Sequence, residues 1–167
     1  MYSVGNRIVY GNSGVCEVRD IIPAPFGKPD DGRLFYVLAP IYDTSNMMIY
    51  TPVDCDTVVI RELISADEAK ALLDSIPRIE PLNIPVEKLR REAYREAVQK
   101  TDLYEYVSVI KTVEIRRSEF KKSRRRLPDM DSDAEHTARN CLYGEVAAVL
   151  GMEREAVHNI VCDLLNS

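Results

Sequence analysis

The chain has 167 residues, 46% of them hydrophobic and 29% charged, with a formal net charge of −5. That length suits one domain or two small ones, and the apolar content is enough to bury a core. No apolar run approaches the roughly 18 residues of a membrane-spanning helix, and the opening MYSVGNRIVYG has no basic segment leading into an apolar one, so no secretory leader is expected.

The first 60 residues read as short strands punctuated by turns. Arg7-Ile8-Val9-Tyr10 runs into Gly11-Asn12-Ser13-Gly14, which supplies the positive-φ positions of a tight turn. A partly amphipathic strand follows over 15–22, and the segment Pro23–Gly32, with its prolines and glycines, predicts an exposed loop. Residues 34–38, 47–50 and 57–60 predict three further strands, with Asp43-Thr44-Ser45-Asn46 as a turn. Five short strands at this spacing predict a small, strongly bent sheet or barrel.

Helical signals take over near 61–65. Ser65 and Glu68 form the pattern of a capping box, with Ala69, Leu72 and Leu73 on the apolar side. Pro77, Pro81 and Pro85 predict an extended connection, with Pro85 opening the next helix. There Leu89, Ala93 and Ala97 make a narrow apolar stripe, while Lys88, Arg91 and Arg95 line up on another face. Asp102 reads as the N-cap of a third helix through Leu103, Tyr106, Val107, Ile110 and Val113. Lys121–Asp133 reads as a loop that flips from basic to acidic and stays out of any core. Ser132 and Glu135 then suggest a second capping box before a helix with Ala138, Leu142, Val146 and Val149 inward, closed by Gly151. The last helix carries Val157, Ile160, Val161, Leu164 and Leu165. The reading is α+β: a β-rich domain over 1–62 and an all-α bundle of four or five helices over 63–167.

The net charge hides a strong asymmetry. Residues 86–126 hold 13 basic against 7 acidic side chains, net +6, and residues 127–167 hold 2 against 8, net −6. Phosphate contacts depend on local charge, so the middle segment points to a polyanionic partner, against the plainer reading of a solvated helix face. Two sites concentrate it: Lys88, Arg90, Arg91 and Arg95 on one helix, and Lys121, Lys122, Arg124, Arg125 and Arg126 in the loop. Interleaved Glu87, Glu92 and Glu96 weaken the helix site and predict moderate, salt-sensitive binding.

A search for catalytic patterns comes out thin. No GxxxxGK[ST], GxGxxG, GxSxG or HExxH occurs, and acidic pairs such as Asp30-Asp31 sit in turn-rich segments. His158 and Cys162 lie one helical turn apart but lack a second pair for a metal site. Cys16, Cys55, Cys141 and Cys162 are widely scattered, with no CxxC pair, which suits a reduced cytoplasmic protein. The reading is of a non-enzyme with no catalytic residues, metal, cofactor or small-molecule substrate.

The order of modules resembles a known family. Val4-Gly5-Asn6-Arg7-Ile8-Val9-Tyr10, then Gly14-Val15 and Val18 with Ile21, resembles the CarD/CdnL family of bacterial transcription regulators, whose front module is similar to the polymerase-interacting domain of transcription-repair coupling factor. Tyr50-Thr51-Pro52-Val53 resembles the family strand that closes on a Val-Pro step, and Ala138-Arg139, Leu142 and Gly144-Glu145-Val146-Ala147 resemble its penultimate helix. The resemblance implies a Tudor-like barrel that binds the β subunit of RNA polymerase through an exposed strand edge, here Met47, Met48, Ile49 and Tyr50. Family members place a basic residue near position 50, where this chain has Tyr50. The resemblance also implies a helical domain on promoter DNA, which assigns the two basic sites to the phosphate backbone. Several members insert a tryptophan into the minor groove, and this chain has no Trp. The place aligns near Val86–Glu87, with Leu82 and Tyr94 considered as substitutes. The expectation is a cytoplasmic monomer that modulates open promoter complexes and binds DNA weakly by itself. A protein–protein adaptor, with its basic helix on an acidic protein surface, is the alternative.

Overall fold

The computed structural model describes residues 1–25 and 32–167 and divides into two compact units, Met1–Leu63 and Ile64–Ser167. Most of the predicted Pro23–Gly32 loop lies outside the described residues. The architecture is α+β, as the sequence predicts.

The first unit is a five-stranded antiparallel sheet: β1 (Arg7–Tyr10), β2 (Val15–Pro23), β3 (Leu34–Pro40), β4 (Ile49–Pro52) and β5 (Ile60–Glu62), in the order β4-β3-β2-β1-β5. A single turn of 3₁₀ helix at Gly11–Ser13 joins β1 to β2. Gly11 has φ +45°, and a Cβ there would meet Val58 Cγ1 at 2.7 Å, so the position requires glycine on two counts. The register of β2 against β3 shifts between Val18 and Asp20, a bulge that bends the strand. Ile8, Cys16, Val18, Tyr36 and Leu38 form the core, with Tyr2, Ile21, Ile49 and Ile60 packed against it. Tyr36 also accepts the Tyr2 backbone N–H at 2.8 Å, so its buried hydroxyl is satisfied.

Two strands sit later than their sequence pattern predicts. Asp43 accepts the Ser45 backbone N–H at 2.8 Å and Asn46 adopts φ +56°, so the turn consumes residues up to Met48 and pairing starts at Ile49. Likewise Cys55 N–H closes a turn onto Pro52 O, and β5 begins only at Ile60.

The second unit holds α1 (Ala66–Ser75), α2 (Arg90–Gln99), α3 (Leu103–Lys122), α4 (Asp129–Leu150) and α5 (Arg154–Leu165). Both halves of the Ser65–Glu68 capping box form, and Asp102 caps α3 by accepting the Tyr104 N–H at 2.8 Å. Gly151 ends α4 at φ +65°. The helix expected to open at Pro85 begins instead with a 3₁₀ turn over Glu87–Leu89. α3 and α4 form the central pair, burying Tyr106, Val107, Val109, Ile110 and Val113 against Ala138, Leu142 and Val146. Among the described residues no helix is long and apolar enough to cross a membrane.

The segment Lys121–Asp133 corrects its predicted reading as one long loop. α3 runs through Lys122 and α4 starts at Asp129, leaving six residues between them. Ser132 and Glu135 lie inside α4 and form no capping box. Pro128 precedes the helix start, and Asp129 and Asp131 in the first turn complement the helix dipole. Asp131 is fully buried, so this acidic stretch does enter the core.

Candidate functional site

Two surfaces carry the residues singled out by the sequence. The first is the β4 edge. Among the described residues this strand pairs with β3 alone, matching Phe35 to Pro52, Tyr36 to Thr51, Val37 to Tyr50 and Leu38 to Ile49. Pro52, which has no N–H to offer a ladder, suits an edge position. Alternation along the strand turns Ile49 toward the core and leaves Tyr50 outward at 41% exposed. Met47 and Met48, at 62% and 41% exposed, precede the strand rather than belong to it. Three large apolar side chains thus flank a sheet edge that, among the described residues, is paired on one side only. Ile49 is mostly committed to the unit's own core.

The second is the basic surface of the helical unit. Lys88 and Arg91 are exposed, and so is Arg95, which pairs with Glu92. Arg90 departs from the expected basic face: it is 4% exposed and points inward. Its guanidinium pairs with Glu87 and lies 3.3 Å from Asp131 Oδ1, so it is consumed by the fold and withdrawn from any phosphate. The same Asp131 oxygen accepts from Arg116 Nε at 2.9 Å and from the Tyr94 hydroxyl at 2.6 Å, while Arg116 also reaches Glu87. Burial, followed by the Asp131 hydrogen bond, pushes the Tyr94 phenol well above its usual range. Tyr94 is therefore locked inside the unit and is no substitute for an inserted tryptophan. Val86 and Leu89, in contrast, are 47% and 56% exposed beside Lys88.

Arg116 and Asp131, which the sequence reading did not single out, complete this cluster, and Glu114 and Arg117 join Glu135 and Arg139 in a second one. Glu135 on α4 accepts from Arg117 and from Arg139, whose guanidinium also meets Glu114 and the Tyr143 hydroxyl. Burial raises the Glu135 carboxyl, but the two arginines outweigh it and hold the group below the usual carboxylate range. The signal was present in the spacing. Arg116, Arg117 and Phe120 continue the stripe of Tyr106, Val109, Ile110 and Val113 on α3, and Asp131 and Glu135 precede Ala138 and Leu142 on α4. Charges at core positions of two facing helices mean buried ion pairs.

The loop cluster lies at the corner where α3 gives way to α4. Lys121, Lys122, Arg124, Arg125 and Arg126 are all exposed, and Arg126 pairs with Asp129 at 2.7 Å. Elsewhere His158 approaches Tyr143 at 3.3 Å and Cys162 at 3.7 Å, without a third ligand. Among the described residues no group of three His, Cys, Asp or Glu could hold a metal ion. What the two surfaces offer is recognition: a strand edge for backbone pairing, and cations for an anionic polymer.

Residues 2–64 match the family model of the CarD-like/TRCF RID domain. No curated protein matches the chain. The matched residues coincide with the β unit, including the whole of β4, and the helical unit follows after them. Such a domain is a non-catalytic, polymerase-interacting module. The N-terminal unit is therefore similar to the CarD-like RNA polymerase-interacting domain, a module of transcription-related proteins.

Proposed function

We propose that the protein is a transcription regulator that docks on the β subunit of bacterial RNA polymerase by adding a polymerase strand to the β4 edge. Met47, Met48 and Tyr50 then pack against the incoming chain. Held there, the helical unit touches promoter DNA with its exposed basic residues and changes the lifetime of the open complex. The observation that carries the reading is that, among the described residues, β4 is paired on one side only and has exposed apolar side chains around it, inside a domain similar to a polymerase-interacting one. Backbone pairing supplies affinity at such an edge and flanking side chains supply selectivity.

The test uses the full chain in a pulldown with the polymerase β lobe. Replacing Met47 and Met48 by Ser and Tyr50 by Ala is expected to weaken capture by about tenfold or more, since anchoring side chains carry most of an interface's energy. Capture unchanged by the triple variant removes the β4 reading. For the DNA half, Lys88→Glu with Arg91→Glu should lower promoter occupancy when polymerase is present. Competition by unrelated duplex DNA separates this from an adaptor for an acidic protein surface, which duplex DNA would leave untouched.

A further inference from the structure

We propose that the corner between α3 and α4, rather than α2, is the main phosphate-binding surface of the helical unit, and that it is a preset grip on a duplex backbone without base selectivity. This rests on the reading that the helical unit meets DNA. It reverses the weight that the sequence gives to the two basic sites.

Charge is the first reason. On α2 and its first turn, Arg90 is buried, Arg95 is paired, and Glu87, Glu92 and Glu96 lie among the cations. Only Lys88 and Arg91 remain for an outside anion. Residues 120–128 contain no acidic side chain at all. Asp129 draws off Arg126, and Lys121, Lys122 and Arg124 make no ion pair with a described residue. The binding set is then Lys121, Lys122, Arg124 and Arg125.

Backbone geometry is the second. α3 ends with the Arg125 N–H on Phe120 O at 2.9 Å and the Arg124 N–H on Lys121 O at 3.1 Å, the paired bonds of a Schellman cap. Arg124 occupies the left-handed position of that cap, at φ +53°, where glycine or asparagine is favoured. A helix C-terminus attracts cations such as Lys121 and Lys122 through its dipole, but that attraction does not call for an arginine in a left-handed conformation. Strain held at one residue is a pointer to use.

Order is the third. The Arg125 guanidinium stacks over the Phe120 ring at 4.5 Å, where a Schellman cap ordinarily has an apolar contact. The Arg116 guanidinium lies 5.2 Å from the same ring and is tied to the buried Asp131. A continuous chain of contacts therefore runs from the core through Arg116 and Phe120 to Arg125, and it fixes an exposed cation before any ligand arrives. One helical turn and the two residues beyond it span roughly 10 Å, comparable to the rise along the duplex axis of about three phosphates of one strand.

The experiment titrates the full chain against a short duplex across a range of salt concentrations. Each phosphate contact contributes about 0.9 to the slope of log affinity against log salt. Changing Lys121, Lys122, Arg124 and Arg125 to Gln should remove about three units of slope, and Lys88→Gln with Arg91→Gln should remove less. Arg124→Gly should hold or raise the melting temperature, because it relieves the left-handed position, and yet weaken duplex binding several-fold. A slope kept by the corner variant but lost by the α2 variant overturns this inference and leaves the DNA reading standing. No duplex binding at low salt, together with no footprint on a polymerase–promoter complex, removes both.

Discussion

Asp131 shows how much one side chain decides in this protein. It is fully buried and gathers two guanidiniums and a phenol, from α2 and α3, onto a carboxylate of α4. A buried carboxylate is tolerable only with such partners, since desolvation costs several kcal/mol for an unpaired charge. Removing its charge while keeping its shape strands Arg90 and Arg116 instead. Asp131→Asn should therefore lower the unfolding free energy by about 3 kcal/mol, read from urea denaturation, whereas Glu87→Gln at the exposed end of the cluster should change it far less. An unchanged midpoint for Asp131→Asn would mean that the cluster is not the anchor of α2. Arg90 teaches the complementary lesson. In the sequence it is one cation among four, and in the fold it is the single one of the four turned inward.

At the scale of elements, local signals fared well where they were self-contained. The Ser65–Glu68 box closes two backbone donors within four residues, so its prediction needed nothing from elsewhere. Ser65→Ala should cost about 1 kcal/mol by thermal or urea unfolding, with little change if α1 is held by packing alone. Asp102 and Gly151 are of the same kind. The second box, at Ser132 and Glu135, has the same letters and does not form, because α4 has already begun at Asp129 and Glu135 is drawn to Arg117 and Arg139. Strands β4 and β5 shifted for a related reason: apolar runs suggested where a strand could be, but pairing with β3 and β1 determined where each began.

For the whole molecule, the formal charge of −5 describes no surface that a partner meets. The +6 of residues 86–126 is itself reduced by the fold, since Arg90, Arg116 and Arg117 spend their charge on internal carboxylates. The unspent charge is concentrated on a few residues of α2 and on the α3–α4 corner, within an otherwise acidic chain. Binding to free duplex should accordingly be weak and steeply salt-dependent, and polymerase should strengthen it by raising the local concentration of DNA. Parallel titrations with and without polymerase check this. Equal affinity in both would sever the two halves of the proposed mechanism.

The sequence by itself determined the α+β class, the capped helices and the presence of a family module at the front, because these rest on local periodicity, short-range hydrogen bonds and residue order. It also identified which residues are basic. Only the tertiary structure decided which of those cations are free. Whether an arginine faces a phosphate or a buried carboxylate depends on a partner distant in sequence, as Asp131 is from Arg90, and neighbours along the chain carry no record of that choice. The exposed edge of β4 is decided in the same way, by which strand lies beside it and which does not.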